Sequence, residues 1–203
     1  MVITGVYYAL GFVAAALAVA YLTRSLYAIP LYLLAAFCLW FFRDPEREIP
    51  QGSHAVSPAD GKVVMVKQLA GGQTRISIFL SPFDVHVNRT PISGEITRVD
   101  HKEGEFLVAS REEASERNEQ STITVKGDDG VEVTFKQIAG LVARRIIVYK
   151  HKGDKVTMGE RVGLIQFGSR ADIFFGPEWE IAVKSGERVW AASSVLARRR
   201  RNS

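Results

Sequence analysis

The chain opens with two apolar runs. It is uncharged from Val2 to Leu22 (VITGVYYALGFVAAALAVAYL) and again from Leu26 to Phe42 (LYAIPLYLLAAFCLWFF), with only Thr23-Arg24-Ser25 between. A helix that is apolar on every face belongs in a lipid phase or a large core, and about 20 such residues cross a bilayer. The first run meets that length and the second is borderline. No Lys or Arg precedes Arg24, and the first run leads directly into a second one, so the segment lacks the basic start and small-residue cleavage site of a secretory signal. It reads as a retained anchor, either a two-span hairpin or a monotopic insertion. A pair of buried helices in a soluble core is the competing reading, and the length of the uncharged runs disfavours it.

At Arg43 the pattern changes. Residues 43–58 (RDPEREIPQGSHAVSP) are polar and carry Pro45, Pro50, Gly52 and Pro58, the composition of a linker. Short β-branched runs parted by glycine or charge follow: KVVMVKQL, TRISIFL, EITRVD, STITVK, VEVTFKQIA, RIIVYK, RVGLIQF and EIAVK. They predict a mainly β domain, a β-rich α+β fold. Only 105–118 (EFLVASREEASERN) has the Ala, Glu and Arg content of a helix or an ordered surface loop. The expected organisation is an anchor of one or two helices over 1–42, a linker over 43–58 and a β-rich body over 59–203. Asp60-Gly61-Lys62, Gly153-Asp154-Lys155 and Gly159-Glu160-Arg161 resemble the hammerhead turns of biotinyl/lipoyl-type barrels, although plain β-turns explain them equally well.

Charge adds an orientation. Arg43 and Arg47 follow the second apolar run and the chain nears its end on Arg198-Arg199-Arg200-Arg201, against the lone Arg24 between the runs, which places the body on the cytoplasmic face of a cell membrane. The net charge of +4 suits an anionic membrane surface, where each basic side chain contributes about 1 kcal/mol. A nucleic acid is the other partner a basic tail suggests, but no aromatic-basic recognition motif accompanies it. The single Cys38 excludes a disulfide framework and a cysteine metal cluster, so a reducing compartment is compatible and no metal is expected.

Candidate chemistry gathers in two places. Leu80 to Pro91 (LSPFDVHVNRTP) brings Asp84, His86, Asn88 and Arg89 close together after a strand, more polar function than packing needs. A turn in which Asp84 and Asn88 satisfy backbone groups and His86 is exposed explains it equally. Phe167-Gly168-Ser169-Arg170 ends an apolar run, and by itself reads as a turn.

Together with Ser57-Pro58-Ala59-Asp60-Gly61, Phe41-Phe42-Arg43-Asp44-Pro45-Glu46-Arg47 and Asn118-Glu119-Gln120, these segments resemble the phosphatidylserine decarboxylase family, short form, in order and rough spacing over nearly the whole chain. The resemblance implies a membrane-attached proenzyme that cuts itself between Gly168 and Ser169 into chains 1–168 and 169–203. Ser169 Oγ would attack the Gly168 carbonyl, and elimination of the resulting ester would leave Ser169 as a pyruvoyl group. His86 would be the base and Asp60 the group holding its tautomer, an Asp-His-Ser arrangement. His54, His101 and His151 are the alternatives; one lies in the linker and two among charges, where solvated side chains are expected.

In turnover, the resemblance implies a Schiff base between the pyruvoyl carbonyl and the serine amine of the lipid, with neither a metal nor pyridoxal phosphate, and release of carbon dioxide to give the ethanolamine headgroup. His86 would return the proton. Ser81, Asn88 and Arg89 are the candidate substrate contacts. The substrate would be phosphatidylserine or an ether-linked analogue in the bilayer, the two cleaved chains would stay associated, and an exposed β edge suits a homodimer. Longer members carry Leu-Gly-Ser-Thr and often a second histidine where Arg89 stands here. Either His86 serves both reactions or Arg89 binds the substrate carboxylate or phosphate. Arg170 is either a substrate contact or a solvated side chain. Two rivals remain: a tethered carrier module, for which no lysine at a hairpin tip qualifies, and a serine hydrolase, for which Gly-x-Ser-x-Gly is missing.

Overall fold

The computed structural model describes residues 2–109, 111–141, 145–166 and 168–200. Two compact units divide between Glu46 and Arg47.

In the first unit the apolar runs form helices α1 (Ile3–Leu22) and α2 (Ile29–Phe41), joined through a 3-10 turn at Ser25–Ala28. Pro30 lies in the first turn of α2, where its missing N–H costs nothing. The Val2 N–H donates to the Phe42 carbonyl (3.0 Å), so the start of α1 meets the end of α2 and the helices run antiparallel. Small side chains, Ala9 and Ala35, form their seam with Cys38. Leu10, Leu17, Leu22 and Leu33 remain 58 to 76% exposed, so the outward face of the pair is apolar as well. By length and composition α1 can cross a membrane, and α2 is shorter.

The second unit is β-rich. Its strands are β1 (His54–Val56), β2 (Gly61–Gln68), β3 (Thr74–Leu80), β4 (Val87–Arg89), β5 (Gly94–Lys102), β6 (Gln120–Lys126), β7 (Glu132–Ile138), β8 (Ile146–Val148), β9 (Lys155–Val156), β10 (Arg161–Ile165), β11 (Ser169–Phe175), β12 (Trp179–Ile181), β13 (Arg188–Val189) and β14 (Val195–Arg199). Every run expected as a strand forms one. Six further strands, β1, β4, β9, β11, β13 and β14, were not expected. The main sheet is curled and runs β13-β2-β3-β11-β7-β6-β5-β9, antiparallel throughout. Two three-stranded sheets, β1-β14-β12 and β4-β10-β8, complete the unit.

One core closes it. Val63, Ile76, Ile78, Ile123, Phe135, Ala171 and Ile173 of the main sheet pack with Leu196, Ala197 and Trp179 of the first small sheet. Each large apolar side chain so buried contributes about 1.5–3 kcal/mol. The stretch 43–58, expected as a linker, is divided instead: 43–46 go with the helices, and β1 pairs with β14. The basic run is likewise part of the fold as far as it is described. Arg198 and Arg199 lie in β14, and Arg199 meets Asp129 (3.1 Å) and the face of Trp179. Arg201 lies outside the described residues.

Among the described residues of 105–118 there is one short helix, α3 (Ala114–Arg117). Ser110 lies outside the described residues. Asn118 explains part of the irregularity: its amide takes both backbone groups of Leu107 (2.9 Å each) and the Ala139 carbonyl (2.7 Å). A side chain that satisfies backbone groups in this way competes with the helical ladder.

Candidate active site

The site is built where β3 ends. Its last residue, Leu80, pairs with Ser169, the first residue of β11, so the two segments singled out in the sequence leave the sheet side by side. After Leu80 the chain turns sharply. Asp84 Oδ2 accepts the Ser81 N–H (2.8 Å) and hydroxyl (2.7 Å), and Arg188 pairs with the other carboxylate oxygen. The turn delivers His86 into the interior, fully buried and not exposed as the turn reading expected.

Both imidazole nitrogens are engaged. Nδ1 lies 2.9 Å from the Asp84 carbonyl, and Nε2 lies 3.2 Å from the Gly168 N–H. A carbonyl only accepts and an amide N–H only donates, so the ring is held with its proton on Nδ1 and its lone pair on Nε2. His86 thus presents a neutral, basic nitrogen to the peptide next to the Gly168–Ser169 bond.

Gly168 adopts φ +63°, a conformation costly for residues with a side chain, and a Cβ built there meets nothing within 4 Å. The following Ser169 is fully buried. Its hydroxyl has no hydrogen-bond partner among the described residues. Leaving a buried polar group unsatisfied costs about 1–3 kcal/mol, and such groups call for a reason in a native fold. Phe167 lies outside the described residues.

The Gly168 carbonyl faces Gly140, just beyond β7. A Cβ at Gly140 would fall 2.1 Å from that oxygen, so only glycine allows this approach. Asn118 holds Ala139, the residue before Gly140, and the Ala139 N–H donates to the Glu119 carbonyl (2.9 Å). The Asn118-Glu119-Gln120 segment therefore fixes the backbone that meets the Gly168 oxygen.

The remaining residues expected at the site are bound into the fold around it. Asp60 accepts from Arg47 Nη2 (2.7 Å) and from the Ala191 N–H (2.7 Å), while the Asp84 carbonyl stands at His86 Nδ1. Burial raises the Asp60 carboxyl above its ordinary range, the Ala191 N–H and Arg47 oppose this, and nearby Asp84 adds to it. Ser81 is taken up by Asp84. Asn88 Nδ2 donates to the Pro58 carbonyl (3.3 Å) and its Oδ1 accepts from Gln137 (2.8 Å). Buried Arg89 donates to the Gly159 carbonyl (3.1 Å).

Of the alternative histidines, His101 and His151 have exposed side chains, as expected. His54 does not: it is buried in β1 with Nε2 at the Pro50 carbonyl (3.0 Å). Arg170 is not solvated either, being completely buried. The sequence reading missed two participants, the Asp84 carbonyl and Gly140. The first is a backbone group, and the second stands in an Ala-Gly-Leu stretch indistinguishable from a turn.

Comparison with known proteins agrees with the resemblance. The family model described as phosphatidylserine decarboxylase matches residues 34–197. A protein of Solibacter usitatus named phosphatidylserine decarboxylase proenzyme is 65% identical over 199 residues, covering 98% of this chain and 97% of the relative. Relatives of the same name from Erythrobacter litoralis and Streptomyces coelicolor are 45% and 47% identical, over 94% and 87% of this chain and 84% and 79% of their own lengths.

Proposed function

The chain belongs to the phosphatidylserine decarboxylase family, and from that membership we propose that it is a proenzyme which breaks its own backbone between Gly168 and Ser169 and then decarboxylates the serine headgroup of a phospholipid. The activity is that of a carboxy-lyase in phosphatidylethanolamine biosynthesis. One observation carries the cleavage reading: a buried serine hydroxyl, without a hydrogen-bond partner among the described residues, follows a glycine whose N–H rests on the basic nitrogen of a buried histidine.

In the first step Nε2 of His86 exchanges the Gly168 N–H for the Ser169 hydroxyl and takes its proton. Oγ bonds to the Gly168 carbonyl carbon, the C–N bond breaks, and the released Ser169 nitrogen takes up a proton, leaving an ester. Gly140 gives the carbonyl oxygen room to move as its carbon becomes tetrahedral. Loss of the Ser169 α-proton then breaks the Cβ–O bond, and Gly168 departs as the carboxylate end of chain 1–168. The dehydroalanine left at position 169 hydrolyses to ammonia and the pyruvoyl end of chain 169–203.

The residues present suit such a group, since the serine that would become it is buried and follows directly on a glycine whose N–H rests on a histidine fixed in its basic tautomer. When present, the pyruvoyl group supplies a carbonyl for the substrate amine and a sink for the electrons released with carbon dioxide. His86 Nε2, freed of the Gly168 tether, returns a proton to the substrate carbon. Asp60 acts at one remove: with Arg47 and the Ala191 N–H it secures the Ser57–Asp60 turn, whose Pro58 carbonyl accepts from Asn88 and from the Arg89 N–H. The helices of the first unit anchor the enzyme in the cell membrane, with Arg43 and Arg47 favouring the cytoplasmic face.

Intact mass of the purified protein tests the cleavage. Two fragments, 1–168 and 169–203, are expected, with the smaller blocked to N-terminal sequencing. Ser169→Ala should remain a single inactive chain. An active preparation consisting only of uncut chain with a free Ser169 would overturn the reading.

A further inference from the structure

In strand β11 alternation sends Ala171, Ile173 and Phe175 into the core and Arg170 and Asp172 to the opposite face. That face is not solvated here, because both charged side chains are 0% exposed. Arg170 Nε donates to Asp172 Oδ1 (2.7 Å), Nη2 to the Ser77 hydroxyl on β3 (2.6 Å) and Nη1 to the Arg111 carbonyl (3.1 Å). Asp172 Oδ2 in turn accepts the Ser115 hydroxyl (2.7 Å). The guanidinium is thereby tied to its own strand, to the neighbouring strand and to the segment that crosses the sheet.

A buried ion pair is weak evidence for stability, since apolar residues of similar size often serve as well or better. The position of this one is informative. In the uncut chain the start of β11 is held by the 168–169 peptide bond and by Gly168 on His86. Cleavage removes both restraints, and the Ser169 nitrogen leaves as ammonia, so the first N–H left in the small chain is that of Arg170. Chain ends fray unless something ties them down.

We propose that Arg170 is a positioning residue for the reaction: with Asp172, Ser77 and Ser115 it clamps the newly cut end of β11, so that residue 169 keeps its place opposite Leu80 during turnover. The inference rests on the cleavage reading above and adds a role that begins only after the cut.

The test uses the full chain in detergent, as wild type, Arg170→Met, Ser77→Ala and Ser115→Ala, each also in an uncut Ser169→Ala background. Amide hydrogen exchange is followed over residues 170–175, with cleavage by intact mass and steady-state kinetics. In the uncut background, exchange should agree among the variants within about twofold. In the cleaved enzymes it should rise roughly tenfold for the serine variants, with kcat lowered to match and KM nearly unchanged, and further for Arg170→Met. Equal exchange and kcat in all cleaved forms would overturn the clamp, as would faster exchange of the same size in cut and uncut chains, which marks a general structural role. Should Arg170→Met fail to fold, the serine variants decide, because they keep the charge pair. A wild type that never cuts overturns the cleavage reading and the clamp with it; one that cuts while the variants behave like it overturns the clamp alone.

Discussion

If the chain cuts itself as proposed, single atoms decide whether the Gly168–Ser169 bond can react. Gly140 is the sharpest instance, because any side chain there would occupy the place of the Gly168 carbonyl oxygen. Gly140→Ala should fold, since the position follows the end of β7, yet self-cleave about a hundredfold more slowly, the loss expected when reacting groups are displaced by about 1 Å. The fraction of uncut chain over time, by intact mass, checks this. Asp60 makes a prediction of a different kind. Its carboxyl is raised above the ordinary range mainly by burial, so the folded state binds a proton there more readily than the unfolded chain. Between the ordinary value of about 3.9 and the raised one, folding therefore takes up protons, and this contribution to stability is lost as pH rises. The melting temperature of the wild type minus that of Asp60→Asn should fall as pH is raised from about 4 to about 7. A difference that grows with pH would mean that pairing with Arg47 outweighs burial.

Among the elements, β11 matters most, because it lies between β3 and β7 at the centre of the main sheet and carries Ser169 at its head. Ile173 is fully buried in its middle. Ile173→Ala should remove about 2–5 kcal/mol of stability, a fall in melting temperature of roughly 5–15 °C for a unit of this size. Half-buried Ile181 on β12 serves as the control, and its alanine variant should lose clearly less. β11 escaped the sequence reading because Arg170 and Asp172 interrupt the apolar pattern, and nothing local reveals that the segment around Arg111 and Ser115 covers them. Of the two readings of 105–118, a helix or an ordered surface loop, the described residues take mostly the second, because the Asn118 amide diverts backbone groups of Leu107 and Ala139 from regular structure.

For the whole molecule, the chain divides into two units between Glu46 and Arg47, and the proposed function assigns lipid access to the first and chemistry to the second. His86, Gly140, Gly168, Ser169 and the Arg170 network all lie in the β-rich unit. A chain lacking residues 1–46 should therefore still cut itself, because no group assigned to that reaction is removed. Its rate on phosphatidylserine in vesicles should fall well below that of the full chain, while its rate on a short-chain, monomeric analogue should be retained. An anchor raises the local concentration of a bilayer-embedded substrate and leaves the reacting groups unchanged. Equal loss on both substrates would place the helices in the catalytic core.

The apolar helices, most of the strands and the segments bearing His86 and Ser169 were legible in the sequence, because hydrophobic period, uncharged length and motif are properties of neighbouring residues. The apolar helical unit and the β-rich body follow from the change of pattern near Arg43, and the family from the order of its motifs. Which groups meet is a different matter. The Ser169↔Leu80 register, the Asp84 carbonyl on Nδ1, the Gly168 oxygen against Gly140 and the burial of Arg170 all join residues far apart in the chain or use backbone atoms common to every residue. Only the packed fold determines such contacts, since they depend on strand register and on which segment covers which face.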